Sequence, residues 1–162
     1  MKGNAVWITQ LVVSFSYRNE GIAGTLISLA KNSVEDVVVI GLASSHPYAV
    51  LAPCNACNRI PIDLKFIADH AKDVIRACNV PYLSNAQLVG SIFNAESSLN
   101  IDDNEQPLSL IKTDFFVDHE EPLTALKNLP KKWILGPLLD GCEFFVVLPT
   151  TSVCRSRTFI YR

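Results

Sequence analysis

Arg18, Gly21, Ala23 and Gly24 stand close together in the run Gln10-Leu-Val-Val-Ser-Phe-Ser-Tyr-Arg-Asn-Glu-Gly-Ile-Ala-Gly-Thr-Leu26. The run reads as a strand, a tight turn and the opening of a helix. The first amides of a helix have no intrahelical acceptor, and the helix dipole adds partial positive charge there. Gly21, Ala23 and Gly24 carry little or no side chain, so a bulky anion can approach the backbone. Arg18 adds a fixed positive charge. Together these residues describe a pyrophosphate cradle. Two commoner phosphate loops do not fit: no Gly-Lys-Ser/Thr closes a Walker loop, and the spacing is not that of the dinucleotide fingerprint. Read as generic Gly-rich spacing, the same residues also suit a plain strand-to-helix turn.

Two other clusters carry potential chemistry. Asp118-His119-Glu120-Glu121 places an imidazole among carboxylates, so Asp118 and His119 are candidates for the substrate side, where His119 can accept a proton from an incoming ammonium. The same residues also suit a helix start, with Asp118 as cap, acids in the first turn and Pro122 early. Cys54-Asn-Ala-Cys57 has C-x-x-C spacing, but Cys78, Cys142 and Cys154 are widely spaced singles and give no second ligand pair for zinc. No metal site is expected; a thioredoxin-type site would need the motif at a helix start after a strand, and otherwise the pair reads as two incidental thiols.

The elements that must hold these residues are legible from periodicity. Residues 6 to 13 are β-branched and aromatic, as a strand requires. Residues 14 to 20 form a polar connection. A helix is expected from Gly21 to Lys31, with Ile22, Leu26, Leu29 and Ala30 on its apolar face. Residues 36 to 43 are nearly all apolar, the mark of a strand covered on both faces. Strand, helix, strand in this order implies a parallel crossover pair. Pro53 is expected to break any helix begun at His46. Asp63 caps an amphipathic helix to about Cys78, with Ile67, Ala71, Val74, Ile75 and Cys78 on one side. Residues 94 to 107 read as a loop, 108 to 117 as a strand, 120 to 129 as a short helix and 143 to 148 as a final strand. The tail from 150 to 162, with Arg155, Arg157 and Arg162 beside Phe159 and Tyr161, reads as flexible.

Composition bounds the function. Of 162 residues, 49% are hydrophobic and 19% charged, enough for a core and too little charge for disorder. A formal charge of -2 gives no field to steer the chain onto nucleic acid or an acidic membrane. No apolar run approaches a transmembrane span. Lys2 is followed by strand-like residues rather than a signal peptide. Five cysteines, an odd number, argue for a reducing compartment, so a cytoplasmic location is expected, with the nucleus open.

Arg18-x-x-Gly21-x-Ala23 resembles the Q/R-x-x-G-x-G/A signature of the GCN5-related N-acetyltransferase superfamily, which binds the pyrophosphate of acetyl-coenzyme A. Leu11-x-Val13 resembles that family's fourth strand, Tyr17-Arg18 the start of its loop, and Leu26 its helix's first buried leucine. Residues 37 to 43 and Ser44-Ser-His-Pro-Tyr-Ala-Val-Leu51 resemble its fifth strand and the start of its fourth helix. Thr113 to Pro122, Trp133 and Gly141-Cys-Glu-Phe-Phe resemble uncharacterised fungal members, so the likeness spans residues 6 to 148 and implies one domain over 1 to 149.

The resemblance implies an α/β fold with a mixed sheet and the acyl-coenzyme A N-acyltransferase topology, shortened at its N-terminal side. It implies that the two splayed strands admit acetyl-coenzyme A. Backbone groups of Leu11, Val12 and Val13 would meet the pantetheine arm. Arg18, Asn19, Glu20, Gly21, Ile22, Ala23, Gly24 and Thr25 would form the diphosphate loop, with His46 beside it. An amine of a small molecule or protein would attack the thioester directly, without a covalent enzyme intermediate. The family places three strands and two helices before its fourth strand, so the resemblance implies either a truncated or fragmentary protein or a second copy or another chain that completes the sheet. The family also has a Tyr as general acid. Here His46 aligns with the family's Asn, Ala49 with its Ala and Pro53 with that Tyr, leaving the catalytic acid unassigned, with Tyr48 nearby.

Overall fold

The computed structural model describes residues 2–93, 108–130, 132–151 and 160–161. The fold is α/β, with helices packed on a mixed sheet. Its elements in chain order are β1 (Lys2–Ile8), α1 (Ile22–Asn32), β2 (Val37–Ser44), α2 (Pro47–Ala56), α3 (Leu64–Ala77), α4 (Pro81–Ser84), β3 (Gln87–Val89), β4 (Leu110–Lys112), α5 (Glu120–Lys127), β5 (Cys142–Pro149) and β6 (Ile160–Tyr161). The strand order is β3-β4-β5-β2-β1, and Ile160–Tyr161 adds a short strip at the β1 edge.

The crossover expectation holds: β1 and β2 run parallel, joined through α1. β2 pairs antiparallel with β5, β5 with β4, and β4 with β3. β5 is the spine, because Phe144, Phe145, Val146, Val147 and Leu148 are all fully buried. Alternation sends Phe145 and Val147 to one face and Phe144, Val146 and Leu148 to the other, so both faces are covered. Trp7 and Phe93 pack on Phe145, with centroids 5.6 and 6.2 Å away, while Trp133 packs edge-on against Phe144 at 4.7 Å.

Several expected boundaries are corrected. The first strand ends at Ile8, and residues 9 to 13 are irregular. The strand expected over 108 to 117 shrinks to Leu110–Lys112, because the amides of Thr113 and Asp114 both donate to the Gly141 carbonyl and Asp114 has φ 56°. That turn closes the β4–β5 end and leaves Phe115, Phe116 and Val117 exposed. Pro53 does not break α2. It sits inside that helix, which resumes through a Cys57 amide to Pro53 carbonyl bond of 3.0 Å. Burial of Pro47, Val50, Ala52 and Pro53 stabilises the helix against the amide that Pro53 lacks. Residues 94 to 107 lie outside the described residues. So do 152 to 159, which include Arg155 and Arg157. Thr150 at the start of the tail is buried, its hydroxyl donating to Val37 at 2.7 Å.

The apolar face of α1 is also corrected. Leu26 and Leu29 are exposed, and Ile27 is the buried residue, flanked by the partly buried Ala23 and Ala30. Small residues at 23 and 30 put the helix close to its neighbours, and Gly24 faces Asn55 of α2. The larger leucines fall on the outer side of that narrow stripe.

α3 follows its reading closely. Asp63 caps it, accepting from the amides of Lys65 at 2.9 Å and Phe66 at 3.1 Å, and Phe66, Ile67, Ala71 and Val74 are buried. Removing the cap by Asp63→Ala is expected to cost about 1 kcal/mol, a fall in the melting temperature of about 2–4 °C by calorimetry.

Candidate functional site

The chemistry-bearing segments gather at one end of the sheet. Ile8 pairs with Leu42, Ser44 with Phe144 and Lys112 with Cys142, so the loops after β1, β2 and β4 leave the sheet on the same side. β1 stops pairing at Leu42, whereas β2 continues for two residues against β5 alone. Past Ile8 the first chain parts from β2. Leu11 remains partly buried against the core, Val12 is 82% exposed, and none of Leu11, Val12 and Val13 belongs to a strand. The strand expected over residues 6 to 13 therefore stops short of these residues, which lie in a loop. β propensity here has no matching partner, because the β1–β2 register, continued from Ile8 and Leu42, would set Leu11 opposite Ser45, past the end of β2 at Ser44.

The loop then makes a 3-10 turn over Phe15–Tyr17, closed by the Tyr17 amide to Ser14 carbonyl at 2.9 Å. Asn19 (φ 66°) and Gly21 (φ 78°) adopt left-handed backbone, which turns the chain into α1. Glu20 between them is exposed. Gly21 is the N-cap residue and gives no side-chain cap. The first closed bond is Thr25 amide to Gly21 carbonyl at 3.1 Å, so the amides of Ile22, Ala23 and Gly24 precede the helical ladder. The Thr25 hydroxyl donates to the same carbonyl at 3.3 Å. Nothing lies within 4 Å of where a Gly21 Cβ would stand. The small side chains, open approach and uncapped donors fit a diphosphate oxygen.

Arg18, in the turn that leads into this helix, makes three contacts. Its Nε donates to the Val13 carbonyl at 3.3 Å, and its guanidinium lies 5.5 Å from the Phe15 ring centre. Its Nη1 pairs with Glu121 Oε1 at the first turn of α5. Glu121 is exposed, and Arg18 holds its carboxyl below the usual carboxylate range, first by hydrogen bonding and then by charge. The Glu121 carboxylate also stands 3.7 Å from His46 Nε2. Burial pushes the His46 imidazole below its ordinary value, Glu121 pushes it up and Arg18 down. The His46 amide is anchored by Ser44 Oγ at 3.1 Å, and the exposed Tyr48 ring lies 5.8 Å away.

The structure thus brings Arg18, Gly21 to Gly24 and His46 to one end of the fold. The Asp118 cluster builds a helix start: Asp118 Oδ1 accepts from the Glu120 amide at 2.8 Å, and Pro122 is buried. His119 is the N-cap residue, and its Nε2 is buried without a hydrogen-bond partner among the described residues. Glu121 was not singled out by sequence reasoning. Its partner Arg18 is 103 positions away, so no local signal marks it.

A second polar group lies on the Phe145 face. Tyr82 Oη accepts from Trp7 Nε1 at 2.8 Å, and burial pushes up both the Tyr82 hydroxyl and the Glu143 carboxyl. The C-x-x-C thiols sit at the end of α2, not at a helix start. Burial is the first cause that raises both, Cys54 to about 11. Such thiols are poor nucleophiles at neutral pH. Among the described residues no three His, Cys, Asp or Glu side chains are grouped to hold a metal ion, and no helix is long and apolar enough to cross a membrane.

No protein-family model, curated protein or solved structure matches the chain.

Proposed function

We propose that this chain binds acetyl-coenzyme A through its diphosphate and transfers the acetyl group to an amine of a small molecule or a protein. The observation that carries the reading is the uncapped N-terminus of α1. Its amides at Ile22, Ala23 and Gly24 lie past a left-handed Gly21, next to Arg18, where β1 and β2 part company. Two further features support it. The parallel β1–α1–β2 unit is followed by antiparallel β4 and β5, and the Arg18-x-x-Gly21-x-Ala23 spacing resembles the N-acetyltransferase loop. In this reading Arg18 and the three amides bind the diphosphate, Thr25 holds the Gly21 carbonyl in place, and the opening beyond Ile8 takes the pantetheine arm. The enzyme's contribution is chiefly positioning of thioester and amine. The acceptor approaches from the end of the sheet that carries His46, Asp118 and His119.

A second reading has one observation in its favour. Pro53, which has no proton to give, is buried inside α2 where the resemblance places a tyrosine acid. On that reading the chain binds coenzyme A or a partner chain without turnover. Calorimetric titration with coenzyme A, beside thiol release from acetyl-coenzyme A with a panel of amines, separates the two. Binding with amine-dependent thiol release is the result expected of the transferase. Binding without release assigns the coenzyme A module, and no binding at millimolar ligand overturns both the transferase and that module.

A further inference from the structure

The ion pair between Arg18 and Glu121 sets the proposed diphosphate loop against a carboxylate from the far side of the chain. Arg18 is a formal cation in the turn three residues before Gly21, the N-cap of α1, and Glu121 takes one of its two terminal guanidinium nitrogens. His46, held toward its neutral form by burial, adds little positive charge to compensate. Glu121 belongs to α5, whose start is fixed by the buried Pro122 and by the Glu120 amide donating to Asp118 Oδ1. The carboxylate is therefore placed by a folded element and not by a wandering side chain.

We infer that Glu121 is a latch: its carboxylate competes with a diphosphate for Arg18, and ligand binding exchanges one partner for the other. This inference rests on the diphosphate reading of the α1 end. Both side chains are partly exposed, at 39% and 59%, so the pair is screened and the exchange is shallow. The latch lowers the affinity of any anion that needs Arg18, and most of all that of the more highly charged diphosphate. The contact also links α5 to the cradle, so occupancy of Arg18 releases Glu121 toward His46.

The test uses the full chain and coenzyme A, with inorganic pyrophosphate and inorganic phosphate as smaller probes. Glu121→Gln keeps the shape of the side chain and removes its charge. It is expected to tighten coenzyme A and pyrophosphate by about three- to tenfold, and phosphate by less, because a competing partner and a like charge are both removed. In an Arg18→Ala background the gain is expected to shrink to less than about twofold, because only the screened like charge is then removed. If Glu121→Gln leaves the affinity of a binding-competent protein unchanged or weaker, the latch is overturned while the diphosphate reading stands. An equal gain in the Arg18→Ala background also overturns it, since the effect then owes nothing to Arg18. If neither wild type nor variant binds coenzyme A or pyrophosphate, both the site and the latch fall. Unchanged melting temperatures confirm that the variants are folded.

Discussion

Gly21→Asp is expected to abolish measurable coenzyme A binding, a loss of at least about a hundredfold, while the protein stays folded. The backbone at position 21 is left-handed, with φ 78° and ψ 2°. Any L residue there costs about 1–2 kcal/mol, and aspartate is among the residues that tolerate it best. Space is no obstacle, because nothing lies within 4 Å of the new Cβ. The melting temperature should therefore fall by only about 2–8 °C. The carboxylate has two places to go. It can stay beside the Ile22, Ala23 and Gly24 amides as a like charge against the phosphates, or the backbone can shift and let it cap those amides itself. The first repels the ligand and the second occupies its donors. Gly21→Ala carries the same conformational cost without a charge or a capping oxygen, and it should keep affinity within a few-fold. Calorimetry on both variants decides the matter. Equal affinity for the Gly21→Asp variant and the wild-type chain, with both folded, would show that these amides bind no diphosphate.

That prediction was legible in the sequence because its cause is local. Glycine, a short alanine and an arginine at fixed spacing state their own backbone chemistry. The Asp63 cap and the apolar run at 37 to 43 were legible for the same reason: one helix end and one doubly covered strand are encoded by adjacent residues. What was not legible depends on partners far along the chain. Leu11-Val-Val13 has the composition of a strand, yet in the β1–β2 register these residues fall past the end of β2 at Ser44 and find no strand beside them. Leu26 and Leu29 look like a core stripe, yet α1 approaches through Ala23, Ile27 and Ala30 because small side chains allow the closer contact. Pro53 looks like a helix breaker, and burial against the sheet overrides it. Glu121 looks like an ordinary first-turn acid, and only the fold brings it to Arg18.

Gly41→Val is expected to cost about 3 kcal/mol and lower the melting temperature by about 6–12 °C, despite the high strand propensity of valine. Gly41 lies in the middle of β2, between Trp7 of β1 and Val147 of β5 in the paired register. A Cβ there would overlap Cε3 and Cζ3 of the Trp7 indole and come within 3.4 Å of Val147 Cγ1. The indole cannot simply swing away. Its Nε1 is tied to Tyr82 Oη at 2.8 Å, and its ring rests on Phe145 at 5.6 Å. Moving it breaks a half-buried hydrogen bond or opens the packing over β5. Trp7 is also the last residue but one of β1 before the strands part, so displacement there loosens the walls of the proposed ligand channel. Trp7→Leu in the Gly41→Val background tests the cause. The leucine removes the clashing ring, and the pair should be coupled by at least about 1 kcal/mol relative to the sum of the single changes. A Gly41→Val protein that melts within about 2 °C of wild type would mean that the indole is not pinned over the glycine. The Trp7–Tyr82 contact could then no longer be held to position the end of β1.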